Sequence, residues 1–332
     1  MTIQKRKYFV LCILCLFVVL LASCIWMPRP DYTKIENIHC QIEPQLGMHP
    51  FSSNQYCVLQ NGNCFAINDE QQLWYYQNDE WTKVSPLAKY MMPLPDGVVY
   101  FGVQKEDIYK GDSYGTYYAE AENTILLAEN VDSFCGDGER VFYYDVLQKQ
   151  VVSFDGEKTQ VYFDIPEIKD SNQPVRHMLA NDNWILLSTG KGVYQYNRKT
   201  EEVAFNAIDE FQGVVGGLSM LYDNKLASFS PDSGRLDVFD LVTGEKAYLK
   251  LYDSCETVDA EISCALHGDH VYLSVYNFEL WGTKADEYTL KIHRGTDEID
   301  IINDEYYENL LCTDTALYGG KIHRMTKICE FE

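Results

Sequence analysis

A short turn followed by an apolar strand recurs seven times along this chain of 332 residues. The turns begin at residues 61, 96, 137, 182, 223, 268 and 313, so successive turns lie 35, 41, 45, 41, 45 and 45 residues apart. Most of them are Asn-Gly, Asp-Gly or Asp-Asn pairs, which accept the positive φ angles of two-residue hairpin turns. A repeat of this length constrains the fold strongly, because each unit must bury its apolar faces against its neighbours.

Each period contains further strands after the first turn. The stretches 193–197 and 236–240 are strands with an aromatic residue near the end, followed by Asn or Asp entering a second turn. The period is thus strand, tight turn, strand, loop, strand, tight turn, strand, and four strands in 40 to 45 residues is typical of one β-propeller blade. We predict an all-β protein with a single β-propeller of seven four-stranded blades over 31–332. Six or eight blades remain alternatives, because both ends of the chain can take part in closing the ring.

One stretch resembles a known class of repeat. Residues 235–245, Arg-Leu-Asp-Val-Phe-Asp-Leu-Val-Thr-Gly-Glu, are similar to the repeats of bacterial quinoprotein-like and surface-layer-type β-propellers. The chain lacks the recurrent Trp-Asp ending of WD repeats. It also lacks the recurrent Gly-Gly strand of kelch repeats, since Gly216-Gly217 and Gly319-Gly320 are isolated. The resemblance therefore implies a divergent bacterial propeller and transfers no activity to this chain.

The first thirty residues are typical of a targeting segment. A basic cluster at 5–7 precedes the uncharged run 8–22, as in a signal peptide. The run ends in Leu-Ala-Ser-Cys24, which resembles the lipobox of bacterial lipoproteins, and this resemblance implies lipidation at Cys24. The alternative is an uncleaved transmembrane helix over 8–27, with Trp26 at the membrane interface. We therefore assign 1–30 to a signal peptide or membrane anchor. Both alternatives place the remaining chain on the extracytoplasmic face of the cell membrane, at the bacterial cell surface.

The charge balance excludes one class of partner and favours others. The chain has 50 Asp and Glu against 27 Lys and Arg, a formal net charge of −23. Nucleic-acid binding requires clustered basic residues, so we exclude it. Four predicted linkers between blades contain 13 acidic and two basic residues: 163–176, 206–217, 252–261 and 300–309. In a propeller these linkers share one face with the loops between second and third strands, so this face is predicted to be strongly negative.

Two long loops add aromatic residues to the same face. The loop at 104–115 carries Tyr109 and Tyr114, and the loop at 277–287 carries Phe278 and Trp281. Aromatic side chains on loops of a rigid scaffold are frequent anchors for partners. We therefore predict a binding module whose partner is an envelope protein, a cationic ligand or a cell-wall glycan. The alternative is an extracytoplasmic glycan hydrolase or lyase that uses carboxylates in the central pocket.

No motif assigns catalytic residues, a metal or a cofactor. The His267-Gly-Asp-His270 segment has the spacing of two metal ligands, but Gly268 and Asp269 are explained by turn chemistry and no third ligand is evident. The acidic residues of 252–261 lack the pattern of a calcium-binding loop. The sequence also has no nucleophile elbow and no phosphate-binding loop. We predict no metal and no cofactor, and we favour a protein that is not an enzyme.

Eight cysteines follow the targeting segment. Cys57 and Cys64 flank the Asn-Gly turn, and pairing of Gln60 with Asn63 would place them diagonally on one face, where a disulfide is conceivable but poorly aligned. Three others fall in predicted first strands, where small residues pack near the propeller axis, and we expect buried thiols there: Cys135, Cys264 and Cys312.

Overall fold

The computed structural model describes residues between 56 and 331, with gaps at 59–63, 69, 78–79, 104–114, 130, 138, 166–174, 208–214, 217, 280–284, 297, 313–314 and 322–323. The chain divides into two compact units, 1–36 and 37–332, and every described residue belongs to the second. The regular elements within the described ranges are β-strands and one 3₁₀ turn at Pro231–Ser233. These ranges contain no helix with the length and apolar character of a membrane span.

The strands form seven antiparallel sheets, and each sheet consists of strands that are consecutive in the chain. Six sheets have four strands and the last has three among the described residues. This arrangement is a seven-bladed β-propeller and confirms the predicted fold class. We call the sheets blades 1 to 7 in chain order.

The strands of blades 1 to 3 are β1 (Tyr56–Val58), β2 (Cys64–Ile67), β3 (Leu73–Gln77), β4 (Glu80–Ser85), β5 (Leu87–Pro93), β6 (Val98–Val103), β7 (Gly115–Glu120), β8 (Asn123–Ala128), β9 (Val131–Gly136), β10 (Val141–Asp145), β11 (Gln150–Phe154) and β12 (Thr159–Asp164).

The strands of blades 4 to 7 are β13 (His177–Ala180), β14 (Trp184–Ser188), β15 (Gly192–Asn197), β16 (Glu202–Ala207), β17 (Ser219–Tyr222), β18 (Lys225–Ser230), β19 (Arg235–Asp240), β20 (Lys246–Lys250), β21 (Thr257–His267), β22 (His270–Glu279), β23 (Ala285–His293), β24 (Ile299–Asn303), β25 (Asn309–Cys312), β26 (Ala316–Lys321) and β27 (Arg324–Glu330).

The turns of the sequence repeat at 96, 137, 182, 223 and 268 join the first and second strands of their blades, as predicted, and the turns at 61 and 313 lie outside the described residues. The second turn of a period joins strands three and four, and its leading Asp or Asn caps the turn. In blade 3, Oδ1 of Asp155 accepts the backbone N–H groups of Glu157 and Lys158. In blade 5, Oδ1 of Asp240 accepts those of Val242 and Thr243. This local hydrogen bonding explains why an acid or amide recurs after each aromatic-ended strand.

The core lies between adjacent blades. One cluster joins blades 3 and 4 through Phe142, Tyr144 and Met178, each at most 1% exposed. Another joins blades 5 and 6 through Leu236 and Leu273. The second strands bury apolar side chains on both faces of the sheet, and β14 is buried at all five positions. Such strands have continuous apolar sequences rather than alternating ones.

Arginines connect neighbouring blades on the turn face, the end that carries the tight turns. In blade 4, Nη1 of Arg198 lies 2.9 Å from Oδ2 of Asp137 in blade 3 and also donates to the carbonyl of Asn181 in its own first turn. In blade 6, Nε of Arg294 lies 2.9 Å from Oδ2 of Asp223 in blade 5, and Nη1 donates to the carbonyl of Gly268 in its own first turn. The same arrangement therefore occurs twice.

Blade 5 has an apolar residue at the equivalent position. Leu241 follows the capping Asp240 there and packs against the core cluster between blades 4 and 5. Blades 4 and 5 are joined instead by Asn181, whose Nδ2 donates to the carbonyl of Asp223, and by Trp184, whose Nε1 donates to Oδ1 of Asn224. The turn residues thus hold blades together in addition to reversing the chain.

The cysteine predictions have different outcomes. Cys57 pairs with Phe65 and Val58 with Cys64, so positions 57 and 64 belong to opposite faces of the sheet. This register is shifted by one residue from the expected one and does not favour a disulfide. Cys135 is a free, buried thiol in the first strand β9, as predicted. Cys264 is a free thiol in the first strand β21, but it is half-buried and not buried as expected. Desolvation of its sulfur raises the pKa of the Cys264 thiol to about 12. Cys312 lies in the first strand β25 and is buried.

We expect Arg198→Ala to lower the free energy of unfolding by about 3 kcal/mol, because it leaves the Asp137 carboxylate buried without its cation. The two side chains are 10% and 3% exposed. Lys199→Ala, one residue later at an exposed position, is the matched control and should change stability by less than about 0.5 kcal/mol. Urea denaturation measures both. Equal stabilities of the two variants would contradict a buried bridge between blades 3 and 4.

We expect Cys135 to resist alkylation in the folded protein. Its side chain is fully buried, and this burial together with the nearby Asp137 carboxylate raises the pKa of the thiol well above its ordinary value. Because the thiolate is the reactive form, iodoacetamide should modify Cys135 only after unfolding. The partly exposed Cys255 is the internal comparison and should be modified faster. Mass spectrometry of native and urea-unfolded samples measures both rates, and equal native rates would contradict the packing around β9.

Candidate functional site

Blade 6 is longer than the other blades. Its first three strands have 11, 10 and 9 residues, whereas the first three strands of the other blades have 3 to 7. The extra length, about 13 Å at 3.3 Å per residue, is at the end opposite the tight turn. We call this end the loop face and define the blade 6 extension as 257–261, 276–279 and 285–287.

The blade 6 extension is uniformly acidic. It contains five carboxylates and neither Lys nor Arg: Asp259, Glu261, Glu279, Asp286 and Glu287. In the strand register, Glu261 is opposite Tyr276, which is in turn opposite Glu287. Asp259 is opposite Phe278. Acidic and aromatic side chains therefore alternate across the three strands, and each aromatic residue has a carboxylate as a direct cross-strand neighbour.

Tyr306, from the linker into blade 7, completes this cluster. Its hydroxyl donates to Oε2 of Glu261 at 2.7 Å, and its backbone N–H donates to Oε2 of Glu287 at 3.0 Å. Its ring lies 5.4 Å from the ring of Tyr276, measured between centroids. Two carboxylates from the first and third strands thus meet two tyrosine rings tilted by 40° to each other, and Tyr306, which is 8% exposed, closes one side of the cluster.

The negative charge of the cluster affects both phenols. Burial, followed by the carboxylate of Glu261, raises the pKa of Tyr306 above its ordinary value. Burial also raises the pKa of Tyr276, with further contributions from Asp259, Glu287 and Glu261. Both side chains are therefore neutral at physiological pH and keep their hydroxyl protons for donation. The field that opposes ionisation of a phenol is also the field that attracts a cation to the ring faces.

The other side of the extension is fixed to blade 5. The backbone N–H of Thr257 donates to Oδ1 of Asp232, and Nδ2 of Asn277 lies 3.2 Å from Sγ of Cys255. The hydroxyl of Tyr252 donates to the carbonyl of Pro231 at 2.8 Å. Oδ1 of Asn277 is buried and has no hydrogen-bond partner among the described residues. These contacts hold the base of the extension against blade 5.

One of the predicted partner-binding residues lies on the extension. Phe278 is 37% exposed and is placed between Asp259 and Ala285 in the strand register. Trp281, Tyr109, Tyr114 and the lipidation residue Cys24 lie outside the described residues, so their roles remain predictions.

The predicted loop 277–287 is largely strand. Its first three residues continue β22, and its last three begin β23. The sequence predicts this segment on the loop face and indicates Phe278 as a binding residue, but it does not indicate Tyr276 or Tyr306. The acids at 259 and 261 and the aromatics at 276 and 278 occupy alternate positions, which is the pattern of side chains on one face of a β-strand. It was missed because the segments were assigned to a linker and a loop, where side chains have no fixed period.

The five carboxylates of the blade 6 extension do not by themselves form a metal-binding site. In the part of the chain that the structure describes, no three or more His, Cys, Asp or Glu side chains are grouped so as to hold one metal ion. The arrangement at Tyr276 and Tyr306 instead offers carboxylate oxygens beside aromatic faces. This combination suits an ammonium or guanidinium group.

The sequence matches no family model and no curated protein. The structure is similar to several solved structures. Apo AztD from Citrobacter koseri is 10% identical, with 78% of this chain and 73% of that chain covered and a TM-score of 0.44. The β-propeller domain of Cps50 (Swd1) from Myceliophteria thermophila is 12% identical, with 87% and 98% covered and a TM-score of 0.46. The extracellular domain of BT4673 from B. thetaiotaomicron is 12% identical, with 85% and 39% covered and a TM-score of 0.45.

We expect Tyr306→Phe to lower the free energy of unfolding by about 1 kcal/mol at neutral pH, because it removes the hydrogen bond to Glu261. The raised phenol pKa adds a pH dependence: its contribution to stability is complete below the unfolded pKa of about 10 and is lost as the pH rises above it. The variant should therefore lose less stability than the wild type between pH 9 and 11. Tyr248→Phe is the control, since its side chain is 63% exposed. Parallel alkaline losses in wild type and Tyr306→Phe would contradict the burial of this phenol.

Proposed function

We propose that this protein is a membrane-tethered, extracytoplasmic binding module that captures a positively charged partner segment on the blade 6 extension. The observation that carries the proposal is the extension itself, with five carboxylates, no basic residue and two aromatic side chains, Tyr276 and Phe278, together with the ring of Tyr306 beside Tyr276. Among the three partner classes predicted from the sequence, this chemistry favours a cationic one, such as a basic segment of an envelope protein.

The electrostatics supports this choice at long and short range. The net charge of −23 attracts a cationic partner from a distance, and the local carboxylates orient it on arrival. Close to the surface, Phe278 offers an exposed apolar anchor beside Asp259. Aromatic anchors contribute most of the affinity in many interfaces, whereas exposed charges contribute mainly association rate and selectivity.

The N-terminal segment supports the tethered location. The basic residues at 5–7 and the uncharged run 8–22 direct export, and Cys24 is the residue that a lipoprotein pathway would modify. An uncleaved helix over 8–27 would tether the chain equally well. In both cases the propeller is on the extracytoplasmic side, where it meets envelope proteins and soluble cations rather than cytoplasmic ligands.

The test measures binding of a fluorescent decalysine peptide to the full-length protein in detergent, by anisotropy at low and at physiological salt. We expect Phe278→Ala to weaken binding by about tenfold, equivalent to 1.4 kcal/mol. The double variant Asp259→Asn/Glu261→Gln should weaken it by about five- to tenfold at low salt and by less at physiological salt, because exposed charges are screened.

Asp253→Asn is the matched control for charge. Asp253 precedes the extension in the same linker, and its side chain is 97% exposed. It should leave binding within about twofold of the wild type, since a single exposed charge contributes little. Equal weakening by Asp253→Asn and the double variant would show a diffuse charge effect and overturn the site. Unchanged binding in Phe278→Ala and the double variant would overturn the proposed function.

A further inference from the structure

Three histidines lie in a row across blade 6 at the turn-face end of the strands that form the extension. His267 ends β21, His270 begins β22 and His293 ends β23. In the strand register, His267 is opposite His270, and His270 is opposite His293. Directly opposite residues point to the same side of a sheet, so the three imidazoles share one face.

Two neighbouring members of the row, His270 and His293, are in direct contact through ring nitrogens. Nε2 of His270 lies 3.1 Å from Nδ1 of His293. The rings meet edge to face, with centroids 4.6 Å apart and planes at 76°. A contact of this kind needs one nitrogen with a proton and one without, so the pair holds a single shared proton at neutrality.

The outer nitrogen of His293 has a carboxylate partner. Its Nε2 lies 3.3 Å from Oδ2 of Asp300 in β24, and the two side chains are 33% and 57% exposed. A carboxylate that accepts the outer N–H of a histidine orients the ring and leaves the inner nitrogen with its lone pair facing inward. This is the arrangement in which metal-binding histidines are usually found.

The separation of the two inner nitrogens matches a shared metal ion. With metal–nitrogen bonds of 2.0 to 2.1 Å, two nitrogens on one ion are about 2.9 Å apart at a 90° angle and about 3.3 Å apart at a tetrahedral angle. The observed 3.1 Å lies between these values. An ion can therefore replace the shared proton without a change in the strands.

We infer that His270 and His293 form a two-histidine site for a late divalent transition metal, zinc or copper, on the turn face of blade 6, with Asp300 as the positioning carboxylate. Imidazole nitrogens suit these metals. The pair supplies two ligands, and water or a ligand from an approaching molecule fills the other positions. The site is separate from the blade 6 extension, which lies at the opposite end of the same strands.

The third histidine of the row has a different contact. The ring of His267 stacks on the ring of Phe331, with centroids 4.0 Å apart. The proposed site therefore consists of His270 and His293, with Asp300 at the outer nitrogen of His293.

The experiment titrates the full-length protein in detergent with Cu(II), followed by electron paramagnetic resonance, and with Zn(II), followed by calorimetry and melting temperature. We expect nitrogen hyperfine splitting from two imidazoles, saturable zinc binding and a melting temperature that rises with zinc. His270→Gln and His293→Asn should each remove the two-nitrogen spectrum and the zinc-dependent rise. Asp300→Asn should keep the two nitrogens and weaken binding about tenfold.

His177→Gln is the control, since His177 lies in the first strand of blade 4 and is remote from the row. The histidines outside blade 6 are unchanged in the two ligand variants and provide a constant background. Exposed Asp300 can be replaced without disturbing the core, so Asp300→Asn tests the site even if a histidine variant unfolds. Copper spectra and zinc affinities that are unchanged in His270→Gln, His293→Asn and Asp300→Asn would overturn the proposal.

Discussion

The structure depends on how neighbouring blades are held together, and the clearest contact of this kind is the buried bridge from Arg198 to Asp137. A propeller has no single core, because each sheet packs only against the sheets on either side. Between blades 3 and 4, the side chain of Arg198 reaches the carboxylate of Asp137. It also donates a hydrogen bond to the carbonyl of Asn181, in the first turn of its own blade. Arg294 repeats this between blades 5 and 6.

These bridges divide the electrostatics of the molecule between its two ends. On the turn face, Asp137 and Asp223 are neutralised by arginines or used as hydrogen-bond acceptors. On the loop face, the carboxylates of the blade 6 extension have no basic residue among them. Blade 6 therefore has different side chains at its two ends: carboxylates beside tyrosines on the loop face, and a histidine pair on the turn face. The length of its strands keeps the two groups of side chains apart.

Much of the fold could be predicted because its causes are local. The turns at 96, 137, 182, 223 and 268 join first and second strands, as their residue types indicated. The capping acids and amides before the second turns were also visible as a pattern, and Cys135 was recognised as a buried thiol from its position in a first strand. The register at Cys57 and Cys64 was expected one residue away from its actual position, since hairpin register depends on a turn geometry that residue types do not fully determine.

The candidate site was predicted less well, for a physical reason. Sequence alone determined the all-β class, the repeat and the acidic character of the linkers, because composition, periodicity and turn chemistry are properties of neighbouring residues. Only the tertiary structure decided that Glu261 meets Tyr306 and that His270 meets His293, partners 45 and 23 residues apart in the chain. Strand pairing and blade packing create those contacts, and they bring together side chains whose distance in sequence carries no information about their distance in space.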